Sequence, residues 1–142
     1  MPQIIGQICF NVTDIERSID FWANVMGVPL QSRTEIPGVL EAVHQAPEGG
    51  SRIQLAQWLE REGPIDMGTS MWKIYVNTSD VQALFEKAVA YGCEVDMEPT
   101  RLDRWPVTVA FVKDPDGYIL ELIEYHEGTP VGVPDPKEST RA

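Results

Sequence analysis

IIGQICFNVTDIERSIDFWANVMG, residues 4–27, and WKIYVNTSDVQALFEKAVAYG, residues 72–92, follow one pattern. Each opens on an apolar strand, residues 4–12 and 72–76, and passes into a capping box, ThrAspIleGlu at 13–16 and SerAspValGln at 79–82. Each then runs as a helix that stops at a glycine, Gly27 or Gly92. Ile15, Ile19, Trp22 and Met26 make one apolar helical stripe, and Val81, Leu84, Phe85 and Ala88 the other. Three strand-like segments follow each helix, about 28–36, 39–45 and 51–58, then 93–98, 107–113 and 118–125. Turn-forming IleProGly at 36–38, ProGluGlyGly at 47–50 and AspProAspGly at 114–117 separate them. The chain is therefore read as α+β, two tandem βαβββ modules over residues 3–59 and 69–127, joined by a linker at 60–68. Two copies are too few for a solenoid, so they are expected to pair around a pocket for a small organic molecule. Residues 128–142, rich in Pro and Gly without periodicity, read as a flexible tail or an arm on a partner subunit.

Bulk properties narrow the function classes. The 142 residues suit a single domain with a core that needs no disulfide framework. A formal net charge of −11 repels phosphate backbones and anionic lipid, which argues against nucleic acid and membrane as partners. No basic leader precedes the first apolar stretch, and no run reaches the roughly 18 apolar residues of a membrane span, so a cytoplasmic protein is expected. Cys9 and Cys93 are expected to pack as small hydrophobes.

Alternation along the strands assigns faces. Gly6, Ile8, Phe10 and Val12 take the helix side, leaving Gln7, Cys9 and Asn11 on the other. Ile53 and Leu55 meet the helix, while Gln54, Ala56 and Trp58 face away. In the second module Trp72, Ile74 and Val76 meet the helix, and Met71, Lys73 and Tyr75 do not. Leu120 and Leu122 take the helix side, so Glu121 projects the other way between Ile119 and Ile123. A carboxylate between two isoleucines is desolvated and suited to act as a base. The alternative is a carboxylate solvated on an open sheet or paired with Lys73. Trp22 and Trp72 read as core residues, Trp105 beside Pro106 as a pocket rim, and His44 and His126 as surface or core histidines.

The segment AlaPheValLysAspProAspGlyTyrIleLeuGluLeuIleGlu at 110–124, with AsnValThrAspIleGluArgSerIleAspPheTrpAlaAsnValMetGlyVal at 11–28, resembles the vicinal oxygen chelate superfamily, and within it the glyoxalase I branch. The likeness runs from about residue 3 to 127. It implies a U-shaped cleft lined by strands and a homodimer. In metal-dependent members four strand positions hold a divalent ion, typically through His, Glu, His or Gln, and Glu. Those positions fall on Gln7, Gln54, Met71 and Glu121. One anion, two amides and a thioether are a poor set for zinc or nickel, so no tightly held cofactor is expected, with a weakly held divalent metal left open. The arginine that engages glutathione in that branch falls on Asn11, and a following asparagine on Trp58. Loss of the guanidinium removes a contact worth about 1.5–3 kcal/mol.

Three functions remain open. The first is a lyase or isomerase in which Glu121 takes a proton next to a carbonyl, Lys73 steadies the enolate or keeps Glu121 ionised, and Tyr75 or Gln54 donates to the oxygen. The second is a non-catalytic, bleomycin-resistance-like protein whose Trp58, Trp72, Trp105 and Tyr75 stack on a cationic drug. The third is a metal-dependent lactoylglutathione lyase-like enzyme with an unusual ligand set. The ligand-binding residues read for all three are Gln7, Cys9, Asn11, Gln54, Trp58, Met71 and Trp105.

Overall fold

In the computed structural model, residues 2–127 are described, and the proposed tail at 128–142 lies outside them. The chain divides into two compact units, one ending at Asp66 and the next beginning at Met67, each a four-stranded sheet with its own helix.

The first unit holds β1 (Gln7–Asn11), α1 (Ile15–Asp20), β2 (Leu30–Ile36), β3 (Val39–Ala46) and β4 (Gly49–Trp58). Its sheet order is β1-β4-β3-β2, with β1 parallel to β4 and the other pairs antiparallel. The second unit repeats this with β5 (Ile74–Asn77), α2 (Val81–Tyr91), β6 (Val95–Arg101), β7 (Val107–Lys113) and β8 (Ile119–Tyr125), in the order β5-β8-β7-β6. The helical segment after β1 leads to β2 at the opposite edge of the sheet, and α2 leads in the same way from β5 to β6, so one helix crosses one face of each sheet.

Phe10, Leu55, Ala42 and His44 form the covered face of the first sheet, and Val76, Leu120, Leu122 and Val112 that of the second. Alternation placed these strands' faces correctly. His44 is a core residue, fully buried, with Nδ1 2.9 Å from the Val28 carbonyl.

The helix ends differ from expectation. The N-caps are Asp14 and Asp80, one residue after the Thr13 and Ser79 of the anticipated boxes; their carboxylates accept from Arg17 N (3.2 Å) and Ala83 N (3.0 Å). The reciprocal bond comes from the sheet. Ile15 N donates to Gln57 Oε1 (2.8 Å) and Val81 N to Glu124 Oε1 (2.9 Å), so each helix start is tied to the last strand of its own unit. The first helix was expected to continue as one α-helix to Met26. It is α-helical only to Asp20, then widens into a π-helical turn at Phe21–Val25, with Met26 N bonded to Phe21 O. The wider turn buries Phe21 and Trp22 side by side, their rings 5.6 Å apart and nearly perpendicular, and brings Ser18 inward where Ile19 was expected. Gly92 ends α2 in the left-handed region (φ 107°), where a β-carbon would be strained.

Three residues read as strand core are not. Trp72 precedes β5 and is 74% exposed, because the strand is only four residues long and starts at Ile74. Ile8 is 53% exposed, since β1 is the edge strand of its sheet and α1 is too short to cover its beginning. Cys9 is exposed and not packed as a small hydrophobe. No helix among the described residues is long and apolar enough to cross a membrane.

Candidate functional site

The uncovered face of the second sheet is built by register. Tyr75 on β5, Glu121 on β8 and Phe111 on β7 are aligned neighbours across three strands, and the next row holds Asn77, Ile123 and Val109. Val107, Val109 and Ile123 are buried there beneath Trp105, Leu102 and Met97. The loop between β6 and β7 therefore folds an apolar cover over one end of the face and leaves Glu121 at its border. Trp105 Nε1 is buried without an acceptor among the described residues, and the Arg104 guanidinium lies 4.8 Å from its ring.

Glu121 is 6% exposed, and its carboxylate accepts a hydrogen bond from the ammonium of Lys73, the residue just before β5. The pairing read as an alternative from sequence is thus the observed one. The Lys73 Nζ lies 3.9 Å from the Trp72 ring centroid, 5.0 Å from Tyr75 and 5.2 Å from Phe111. Desolvation works against the ammonium, but the hydrogen bond and charge of Glu121, with a smaller contribution from Tyr75, outweigh it and hold Lys73 above the ordinary lysine value. Lys73 is a fixed positive charge and not a neutral amine.

The first unit has an amide pair at the matching place. Gln7 Nε2 donates to Gln54 Oε1 (2.6 Å), and the Gln54 amide in turn donates to Glu41, a residue of β3 that the sequence reading did not select. Cys9 is in register with Gln54, and burial followed by the charge of Glu41 raises its thiol pKa, so it is a poor nucleophile. At the end of the same face Trp58 Nε1 donates to Asn11 Oδ1 (3.0 Å), and the Arg61 guanidinium lies 4.9 Å from the Trp58 ring.

The repeat corrects one assignment. Gln7 meets Gln54 in the first unit just as Lys73 meets Glu121 in the second, so Lys73 is the counterpart of Gln7. Met71 precedes β5 by more than a residue, is partly exposed, and does not hold the matching place. Phe111, Glu41 and Arg61 were missed. For Phe111 a signal existed: the AspProAspGly turn fixes the β7–β8 register, which sets Phe111 opposite Glu121.

The donors do not fit a tightly held divalent ion. The Gln54 oxygen is occupied by Gln7, the Glu121 carboxylate is neutralised by an ammonium, and that ammonium, Lys73 in the place matching Gln7, has no lone pair to offer. No group of three or more His, Cys, Asp or Glu suited to a metal occurs among the described residues.

Two sheets, of order β1-β4-β3-β2 and β5-β8-β7-β6, each with one crossover helix on one face, define the glyoxalase-type fold. The chain belongs to the Glyoxalase/Bleomycin resistance protein/Dioxygenase superfamily, whose description matches residues 4–122. It is 32% identical over 122 residues to a lactoylglutathione lyase of Arabidopsis thaliana, a match that covers 82% of this chain and 42% of the plant protein. With the lactoylglutathione lyase of Escherichia coli O157:H7 it shares 31% over 116 residues, covering 80% of this chain and 86% of the relative. The chain thus spans about two-fifths of the plant relative and most of the bacterial one. Glyoxalase I from Zea mays superposes with a TM-score of 0.77 at 24% identity, over 87% of this chain and 45% of that one. The trypanothione-dependent glyoxalase I of Leishmania major gives 0.74 at 21%, over 87% of both chains. At these identities the structural likeness establishes the fold alone.

Proposed function

We propose that this protein is a lyase or isomerase that moves a proton on a carbon next to a carbonyl, with Glu121 as the base and no tightly held metal. The observation that carries the reading is the nearly buried Glu121 carboxylate held against Lys73 at the border of an apolar face. The carboxylate is held ionised and ready to take a proton, and the fixed ammonium beside it meets the negative charge that develops on the substrate oxygen. When the C–H bond breaks, its proton goes to Glu121 and its electron pair to the carbonyl oxygen. Lys73 then exchanges the carboxylate for the enolate as its counter-charge. In a substrate with a hydroxyl on the deprotonated carbon, passing the hydroxyl proton to the enolate oxygen and returning the first proton from Glu121 to the former carbonyl carbon completes an isomerisation. Tyr75 stands in the same row as Glu121, which supports a role for it as donor to the oxygen.

The named relatives support the lyase part of this reading, since proteins named lactoylglutathione lyase match the chain at 31–32% identity. A glutathione adduct is a less suitable substrate here: position 11 carries no guanidinium, and the Asn11 carbonyl is bonded to Trp58. Replacing Glu121 by Gln is expected to lower turnover of a carbonyl substrate by about 10²–10⁴-fold while ligand binding remains measurable. Activity within a few-fold of wild type sinks the proposal.

A further inference from the structure

Three aromatic rings and a carboxylate surround one ammonium at the uncovered face of the second sheet: Trp72, Tyr75, Phe111 and Glu121 around Lys73. Rings of this kind beside an anion are the components of a receptor for organic cations. Here the cation belongs to the chain itself. The Lys73 side chain is only 10% exposed and that of Glu121 8%, so the pair is largely withdrawn from water.

We infer that the Glu121 site is an aromatic cation cage filled by the protein's own Lys73, so that its local net charge is zero and it takes an uncharged carbonyl compound while rejecting organic cations. The carbonyl part of this statement rests on the proposed function; the charge selectivity stands on the geometry. A free ammonium ion entering the cage would set two cations against one carboxylate, and a substrate carboxylate would set two anions against one ammonium. Either leaves an uncompensated charge beside an ion pair that is itself largely withdrawn from water, where a lone charge is disfavoured. A neutral ligand adds none. Proton transfer to Glu121 also leaves the total unchanged, because the carboxyl becomes neutral as the enolate becomes negative.

The overall charge of −11 taken alone favours a cationic ligand. Most of that charge lies on exposed residues, whose field is screened over about 8 Å at physiological ionic strength. The Lys73–Glu121 contact is far shorter and less hydrated, so the local pair governs what enters.

The test is a charge series measured by tryptophan fluorescence on the whole chain, with hydroxyacetone, tetramethylammonium and acetate as neutral, cationic and anionic probes. Wild type is expected to bind hydroxyacetone at least about tenfold more tightly than either ion. K73M, with an emptied cage around a lone carboxylate, is expected to gain tetramethylammonium affinity by about tenfold or more. E121Q, with a lone ammonium, is expected to gain acetate affinity by a similar factor. Wild type binding tetramethylammonium as tightly as K73M overturns the inference. So does E121Q that keeps the wild-type near-ultraviolet circular dichroism yet gains no acetate affinity, which covers the case in which K73M does not fold. Because these are binding measurements, a charge swap without turnover retains the inference and removes the proposed function. Turnover without the swap does the reverse.

Discussion

Glu121 and Asp114 stand seven residues apart in the same hairpin and are treated differently by their surroundings. Glu121 has the Lys73 ammonium; Asp114 has only backbone. Its Oδ1 accepts from Asp116 N and Tyr118 N at 2.9 Å each, while Oδ2 is buried with no partner among the described residues. Burial is the larger effect and pushes the Asp114 carboxyl up to about 6, against the opposing N–H bonds. A carboxyl whose folded-state pKa is raised favours the folded state when protonated. Its stabilising contribution is present below its unfolded value of 3.8 and is lost as pH rises through about 6. Asp114→Asn keeps an acceptor for the two N–H groups and removes the titration. The melting temperature of D114N is expected to lack a fall that wild type shows between pH 4 and pH 7, the window set by those two values. Parallel melting curves for the two proteins contradict the assignment. Alternation in TyrIleLeuGluLeuIleGluTyr was enough to aim Glu121 at the uncovered face, because Leu120 and Leu122 cannot stay in water. Its partner was harder to fix, because Lys73 lies ahead of the four-residue β5, where a strand pattern says little about where a long flexible side chain ends.

At the level of elements, sheet and helix depend on one another through two side chains. Gln57 on β4 and Glu124 on β8 accept the first helical N–H of α1 and α2. These bonds satisfy donors that a helix cannot satisfy for itself, and they hold each helix start over its own sheet. Gln57→Ala and Glu124→Ala are each expected to cost about 0.5–2 kcal/mol, the range of an N-cap deletion, in urea unfolding followed by far-ultraviolet circular dichroism. A change below a few tenths of a kcal/mol in both contradicts the role. The strands and both helices were legible because turn residues and apolar periodicity agreed along most of the chain. The cap positions were offset by one residue because Thr13-Asp14 and Ser79-Asp80 each present two adjacent capping side chains, and local sequence does not choose between them. The π-helical turn was not legible, since a stripe at helical spacing fits either winding and only the burial of Phe21 beside Trp22 selects the wider one.

Across the whole molecule one module design has been used twice and filled with different chemistry. The first unit joins Gln7, Gln54 and Glu41 in a chain of amide hydrogen bonds; the second joins Lys73 to Glu121. The family was legible from the AspProAspGly turn and the first helix, and it is shown by the match over residues 4–122. The resemblance assigned ligand positions to Gln7, Gln54, Met71 and Glu121, and the structure joins Gln7 to Gln54 and Lys73 to Glu121. Lys73 and not Met71 therefore matches Gln7 in the repeat, and the sequence did not show it because counting along a short strand gives no register where the backbone has not yet joined the sheet. Only the contact between Lys73 and Glu121 reveals that a side-chain cation stands in the second unit where its counterpart in the first is an amide. The central claim is that this pair moves a proton beside a carbonyl without help from a tightly held metal. It is tested most directly by proton exchange at the α-carbon of hydroxyacetone in deuterium oxide, followed by nuclear magnetic resonance on protein dialysed against a strong chelator. Exchange well above the buffer rate that is unchanged by the chelator and falls by about 10²-fold or more in E121Q is the predicted result. Exchange that disappears on chelation and returns only with added nickel or zinc contradicts it.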